Sequence, residues 1–177
     1  MKYLDFVHEA DDYQFGFKKG FSTGTCTYAL KQTVQYYRQR RSHVYCCFID
    51  FSKAFDNVNY WLLFCKLLDY NNSNTCLVSV RLLAYRHSHY EMFVRWHNCH
   101  SACFSVLNGV RQGGVLSPFL FRVYIRSLIN DVVISRSGCY IAGVCVKLLA
   151  YADDIVLLSP SLHGLFRSCL ISLRKPQ

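Results

Sequence analysis

At 177 residues and 52% hydrophobic composition, the chain can build one domain with a sizeable core and is too apolar to be intrinsically disordered. Lysine and arginine number 20 against 11 acidic residues, a formal net charge of +9 that points to a polyanionic partner. No apolar run reaches membrane-spanning length, and a start carrying Glu9, Asp11 and Asp12 is unlike a signal peptide, so the expectation is an intracellular protein, in nucleus or cytoplasm, with no membrane partner and ten reduced cysteines.

Residues 13–24 read as a glycine-punctuated loop. Ser22 or Thr25 can cap a helix running to about Arg40, with Ala29, Leu30, Val34 and Tyr37 as its apolar stripe. The basic run Arg38, Gln39, Arg40, Arg41 suits both the carboxyl end of that helix and contact with phosphate. A buried strand over about 44–51 follows, then a turn through Ser52 to Asp56 and a helix over about 59–69. Asp56 is expected to satisfy N–H groups where that helix starts, and Lys53 reads as a solvated cation.

Asn71-Asn72-Ser73-Asn74 breaks the chain before a helix over about 75–86. Tyr90–Trp96 and Cys103–Leu107 read as two strands around a polar turn. His97, Cys99, His100 and Cys103 also sit there, in a spacing that fits no standard zinc finger. Residues 108–114 form a loop with three glycines, and Ser117-Pro118 starts a helix to about Ile134. Strands over about 139–151 and 155–158 make a hairpin across Ala152–Asp154, and a last helix starts near Ser161. Helices followed by strand pairs favour α+β with an antiparallel sheet over a parallel α/β fold.

Three carboxylates stand out. Asp153 and Asp154 interrupt the apolar run Val144 to Leu158, where like charges repel and desolvation is costly unless cations neutralise them. Asp50 ends a second apolar run, Val44 to Ile49. Three carboxylates at strand ends can hold two Mg²⁺ ions, which suit phosphoryl transfer.

The segments around them are Phe48-Ile49-Asp50-Phe51-Ser52-Lys53-Ala54-Phe55-Asp56, Gly109-Val110-Arg111-Gln112-Gly113-Gly114-Val115-Leu116-Ser117-Pro118 and Tyr151-Ala152-Asp153-Asp154. In this order they resemble the A, B and C motifs of reverse transcriptases, in the wording of the non-LTR (LINE-type) retrotransposon enzymes. Gln14-Phe15-Gly16-Phe17 resembles a fingers-side motif of the same family. The resemblance covers nearly the whole chain.

The resemblance implies a polymerase palm, an antiparallel sheet packed on helices, with partial fingers and no thumb. Fingers-side segments would be about 1–43 and 65–110, and the palm about 44–64 and 111–177, within a single partial domain over 1–177. It implies RNA-directed DNA synthesis from deoxynucleoside triphosphates, extending a DNA primer on an RNA template, within a polyprotein that also carries an endonuclease and a thumb. Asp50 and Asp153 would bridge two Mg²⁺ ions, with Asp154 completing or supporting the cluster and the Phe51 carbonyl as a further ligand. Phe55 falls at the aromatic gate that selects deoxynucleotides, or is a core phenylalanine. Gln112 and Gly113 match the loop against the incoming nucleotide. Arg111 meets phosphate or solvent, and Tyr151 rests against the primer end or in the core.

Lys18, which the resemblance implies contacts nucleic acid, stands where the family usually has arginine, keeping the charge without the bidentate fork, and Phe21 replaces a basic or polar residue. Both ends are expected to be truncated, leaving apolar surface exposed and the fragment prone to aggregate. Those features motivate an alternative, a catalytically dead remnant that at most binds nucleic acid. An intron-encoded or telomerase-like polymerase is a third reading.

Overall fold

Three capped helices begin where serine or asparagine oxygens are available. Ser22 accepts the Thr25 N–H at 3.2 Å and starts α1 (Thr23–Gln39). Asn59, rather than Asp56, accepts the Leu62 N–H at 3.1 Å and starts α2 (Tyr60–Tyr70). Ser161 accepts the Gly164 N–H at 3.1 Å ahead of the last helix. The computed structural model describes residues 10–70, 91–135 and 137–173; the helix expected over about 75–86 lies outside them.

The strands are β1 (Tyr45–Ile49), β2 (Glu91–Met92), β3 (Arg95–Trp96), β4 (Cys99–His100) and β5 (Phe104–Ser105). After α3 (Ser117–Ile134) come β6 (Tyr140–Ile141), β7 (Val144–Cys145), β8 (Leu148–Tyr151), β9 (Asp154–Ser159) and α4 (Leu162–Leu173). All strand pairings between them are antiparallel, so the described fold is α+β. The described residues fall into two compact units, one within 1–52 and 125–176 and the other within 53–124.

The first unit is built on a three-stranded sheet in the order β1-β9-β8. Leu149 and Val156 are register partners, and with Leu158 they meet Ala29, Leu30 and Tyr37 of α1. Cys47, opposite Leu157, lies on the other face, and α4 packs against β1 and β9. Helices thus cover both faces of a sheet whose central strand carries Ile155, Leu157 and Leu158 almost wholly out of solvent. Val34, expected in the α1 stripe, is instead exposed. The strand expected over about 139–151 folds back on itself. Ala142 at φ +49° and Gly143 at φ +83° turn β6 into β7, and β8 starts afresh at Leu148.

In the second unit, Leu63, Phe64 and Leu67 of α2 are buried, as are Leu120, Phe121 and Val123 in the first half of α3. Lys66 Nζ donates to the Tyr124 carbonyl and sits 4.5 Å from the centre of its ring. Residues 91–105 form two short ladders, β2–β5 and β3–β4, around the turn at His97. His97, Cys99, His100 and Cys103 are exposed on it. Among the described residues, no helix is long and apolar enough to cross a membrane.

Candidate active site

The β1–β9 register brings the separated aspartates to one end of one sheet. Ile49 lies opposite Ile155. One step further along an antiparallel ladder puts Asp50 beside Asp154, on the same face by the pleat. Asp154 is itself the partner of Tyr151, and Ala152-Asp153 is the two-residue turn between them. Asp50, Phe51, Tyr151, Asp153 and Asp154 therefore share the sheet's open end, within the first unit.

Asp50 and Asp154 are exposed, and Asp153, Phe51 and Tyr151 are half-buried. This corrects one expectation. The pair does sit at the expected hairpin turn, but it is not desolvated there, because water reaches the tip. Repulsion between carboxylates so solvated is on the order of 1 kcal/mol, so the fold tolerates them without a counter-ion. Their donor chemistry nonetheless fits magnesium, a hard cation that takes carboxylate and carbonyl oxygens and keeps several waters. Among the described residues, no three His, Cys, Asp or Glu side chains draw into a metal-holding group, those of the His97–Cys103 turn included. The aspartates are gathered by backbone register alone.

Ala152 stands at φ +58°, a left-handed value that a residue with a Cβ rarely adopts. Gln14 holds it there, accepting the Ala152 N–H at 2.9 Å and donating to the Ala152 carbonyl at 3.0 Å. Sequence reading placed Gln14 in a motif but missed this contact, since the two residues lie 138 positions apart. Lys18, proposed for nucleic acid, pairs with Asp12 at 3.6 Å and lies 5.0 Å from the Phe21 ring centre.

The other motif residues lie in the second unit. Phe55 stacks on Phe121 with ring centres 4.5 Å apart, and remains half-buried. The 109–114 loop is tied to the segment after Phe55. Val110 N–H donates to the Phe55 carbonyl at 2.7 Å, and Gly109 N–H to the Val58 carbonyl at 2.8 Å. Gly109 sits at φ +95°, and a Cβ there would stand 2.7 Å from the Asp56 carbonyl oxygen, so this crossing needs glycine. Arg111, Gln112 and Gly113 are exposed beyond it. The Arg111 carbonyl accepts from Gly114 N–H at 3.0 Å and from the Ser117 hydroxyl, which ties the loop to the start of α3.

Residues 2–175 match the family model described as "Reverse transcriptase (RNA-dependent DNA polymerase)". The chain is 31% identical over 151 residues to a "Probable RNA-directed DNA polymerase from transposon BS" of Drosophila melanogaster, covering 85% of this chain and 16% of that protein. It is 26% identical over 152 residues to the "RNA-directed DNA polymerase from mobile element jockey" of Drosophila funebris, covering 84% and 15%. A 54-residue stretch is 37% identical to the "Retrovirus-related Pol polyprotein from type-1 retrotransposable element R2" of Popillia japonica, 30% of this chain and 9% of that one. The chain thus spans about a sixth of the length of the first two relatives. Its fold resembles an apo telomerase structure from Candida tropicalis, with a TM-score of 0.66 at 11% identity over 94% of this chain and 33% of that one. The family match over nearly every residue agrees with the three motifs and with the sheet that gathers the aspartates: the chain belongs to the reverse transcriptase family, among relatives of the non-LTR retrotransposon type.

Proposed function

We propose that this chain is the polymerase segment of a non-LTR retrotransposon protein, extending a DNA primer on an RNA template from deoxynucleoside triphosphates. The observation that carries the reading is the β1-β9-β8 register, which sets Asp50 beside the Ala152-Asp153 turn and Asp154. The sheet is taken as palm, within segments of about 44–64 and 111–177, and the fingers side as about 1–43 and 65–110. One relative's name, a Pol polyprotein, supports a larger polyprotein around it; an endonuclease and a thumb within that polyprotein are part of the proposal.

Asp50, Asp153 and Asp154, with the Phe51 carbonyl, are the residues that would hold two Mg²⁺ ions. Bound there, such ions lower the pKa of an attacking hydroxyl and neutralise charge on the phosphates. The protein's part is position and charge. The carboxylates supply anchoring negative charge at the sheet end. Phe55 excludes the ribose 2′-hydroxyl by its ring. Gln112 and Gly113 lie against the nucleotide, and Arg111 and Tyr151 against nucleic acid. Lys18, already paired with Asp12, contributes to nucleic-acid binding by exchanging that exposed partner for phosphate.

The test is primer extension on an RNA template with Mg²⁺, by this chain alone and within the longer reading frame that carries it. Asp153→Asn is expected to lower synthesis by a factor on the order of 10² or more, because charge stabilisation by a bound cation is worth several kcal/mol. Equal synthesis by wild type and Asp153→Asn refutes the metal assignment. RNA binding without synthesis by either protein favours the remnant.

A further inference from the structure

Gln14 has no role in the reading above, yet it is 2% exposed and both polar atoms of its amide reach one residue of the aspartate turn. Ala152 sits at the hairpin tip, where β8 and β9 offer its backbone no ladder partner. The Gln14 amide supplies both missing partners at once, an acceptor for the N–H and a donor for the carbonyl. Its Oε1 also accepts the Gly16 N–H at 2.8 Å, which fixes the amide's orientation.

The approach is built, not incidental. Gln14 bridges Ala150 in parallel, and Phe15 N–H donates to the Ala150 carbonyl at 2.7 Å, so residues 14–15 occupy the free edge of β8. A Cβ at Gly16 would collide with the Ala152 backbone nitrogen, so glycine is what lets this stretch come close. What it holds is the positive φ of Ala152, immediately before Asp153.

We infer that Gln14 is a positioning residue for Asp153 and Asp154. By pinning the Ala152 backbone on both sides, it sets the turn conformation and hence the directions in which the two carboxylates leave the hairpin. The inference rests on the metal role proposed for those aspartates, and its mechanism is the outer-shell orientation of ligands, whose loss typically weakens metal binding 10- to 100-fold.

Gln14→Met keeps the side chain's length and removes all three of the amide's hydrogen bonds. The experiment compares it with wild type, Gln14→Met/Ala152→Gly and Asp153→Asn, reading amide hydrogen exchange at Ala152 and Gly16, and Mn²⁺ binding by electron paramagnetic resonance. Gln14→Met is expected to lose protection at both amides by about five- to tenfold, and to bind Mn²⁺ about tenfold more weakly. Adding Ala152→Gly is expected to return part of the Mn²⁺ affinity, since glycine enters positive φ unaided. Wild-type amide protection or wild-type Mn²⁺ affinity in Gln14→Met overturns the inference. Asp153→Asn with wild-type Mn²⁺ affinity overturns the underlying metal reading instead, and amide exchange then decides separately whether the clamp exists. Should Gln14→Met fail to fold, the double variant decides: recovered folding and Mn²⁺ binding support the clamp, and failure to recover either overturns it.

Discussion

Phe55 is where packing and selectivity meet in one side chain. Its ring stacks on Phe121 at 21° between planes while part of it remains open to solvent. Phe55→Val removes the stacked pair and several buried methylene-equivalents, an expected loss of about 1–2 kcal/mol in unfolding free energy. If the open edge is the gate, the same variant raises incorporation of ribonucleotides relative to deoxynucleotides in primer extension. Lost stability with unchanged nucleotide preference leaves Phe55 a core residue only. Such motif residues are legible because their chemistry is encoded in a few consecutive positions. Residues whose roles depend on distant partners are not. Gln14 acts on a residue 138 positions away, and the choice of Asn59 over Asp56 as helix cap depends on where the turn after Lys53 ends. Lys53 stands at φ +51° in that turn, and its carbonyl takes the N–H groups of Asp56 and Asn57.

Among the elements, those with strong local signals were legible. Ser22 and Ser161 mark real helix starts, and the apolar runs ending at Asp50 and beginning at Asp154 are real strands. The region 139–151 was read as one strand because its residues are almost all β-formers. Nothing in that composition reveals that Ala142 takes a left-handed conformation beside Gly143 and splits it. The fold-back places Cys139 wholly out of solvent against Leu149 and Leu158, with the Tyr37 hydroxyl accepting from Tyr140 N–H and donating to the Tyr140 carbonyl next door. Burial pushes the Cys139 thiol up from 9.0 to about 11, a Tyr37 hydrogen bond opposing it in part. The sign follows: the unfolded thiol ionises first, so the stability it lends is whole below pH 9 and is lost as pH rises through about 11. Buried Lys147 acts oppositely, since burial lowers its pKa and its cost lifts as pH rises. Cys139→Ala isolates the thiol. Its denaturant-derived stability should fall less than wild type between pH 9 and 11, by roughly 2–3 kcal/mol. Parallel profiles would show that the fold does not raise the Cys139 pKa.

At the scale of the whole molecule, the net charge of +9 makes phosphate attraction unspecific in origin but testable in its parts. The densest cationic run, at the end of α1, is not uniformly available. Arg40 Nη1 donates to the Tyr36 carbonyl at 3.2 Å, and its guanidinium lies 3.5 Å from the centre of the Tyr36 ring. Arg38 and Arg41 are exposed beside it, Arg41 at φ +56° where the helix gives way. A guanidinium already stacked and bonded gains less from phosphate than one in water, so the three should not contribute equally. For single-stranded nucleic acid, each neutralised phosphate adds about 0.7 to the slope of log affinity against log salt. Binding of a single-stranded RNA by wild type, titrated from 50 to 200 mM salt, should weaken roughly 50-fold if about four phosphates are engaged. Arg38→Gln/Arg41→Gln should reduce the slope by about 1.4, whereas Arg40→Gln should leave it nearly unchanged. An unaltered slope in the double variant would mean that α1 ends in cations for the sake of its own carbonyls, and that the nucleic acid is held elsewhere on the chain.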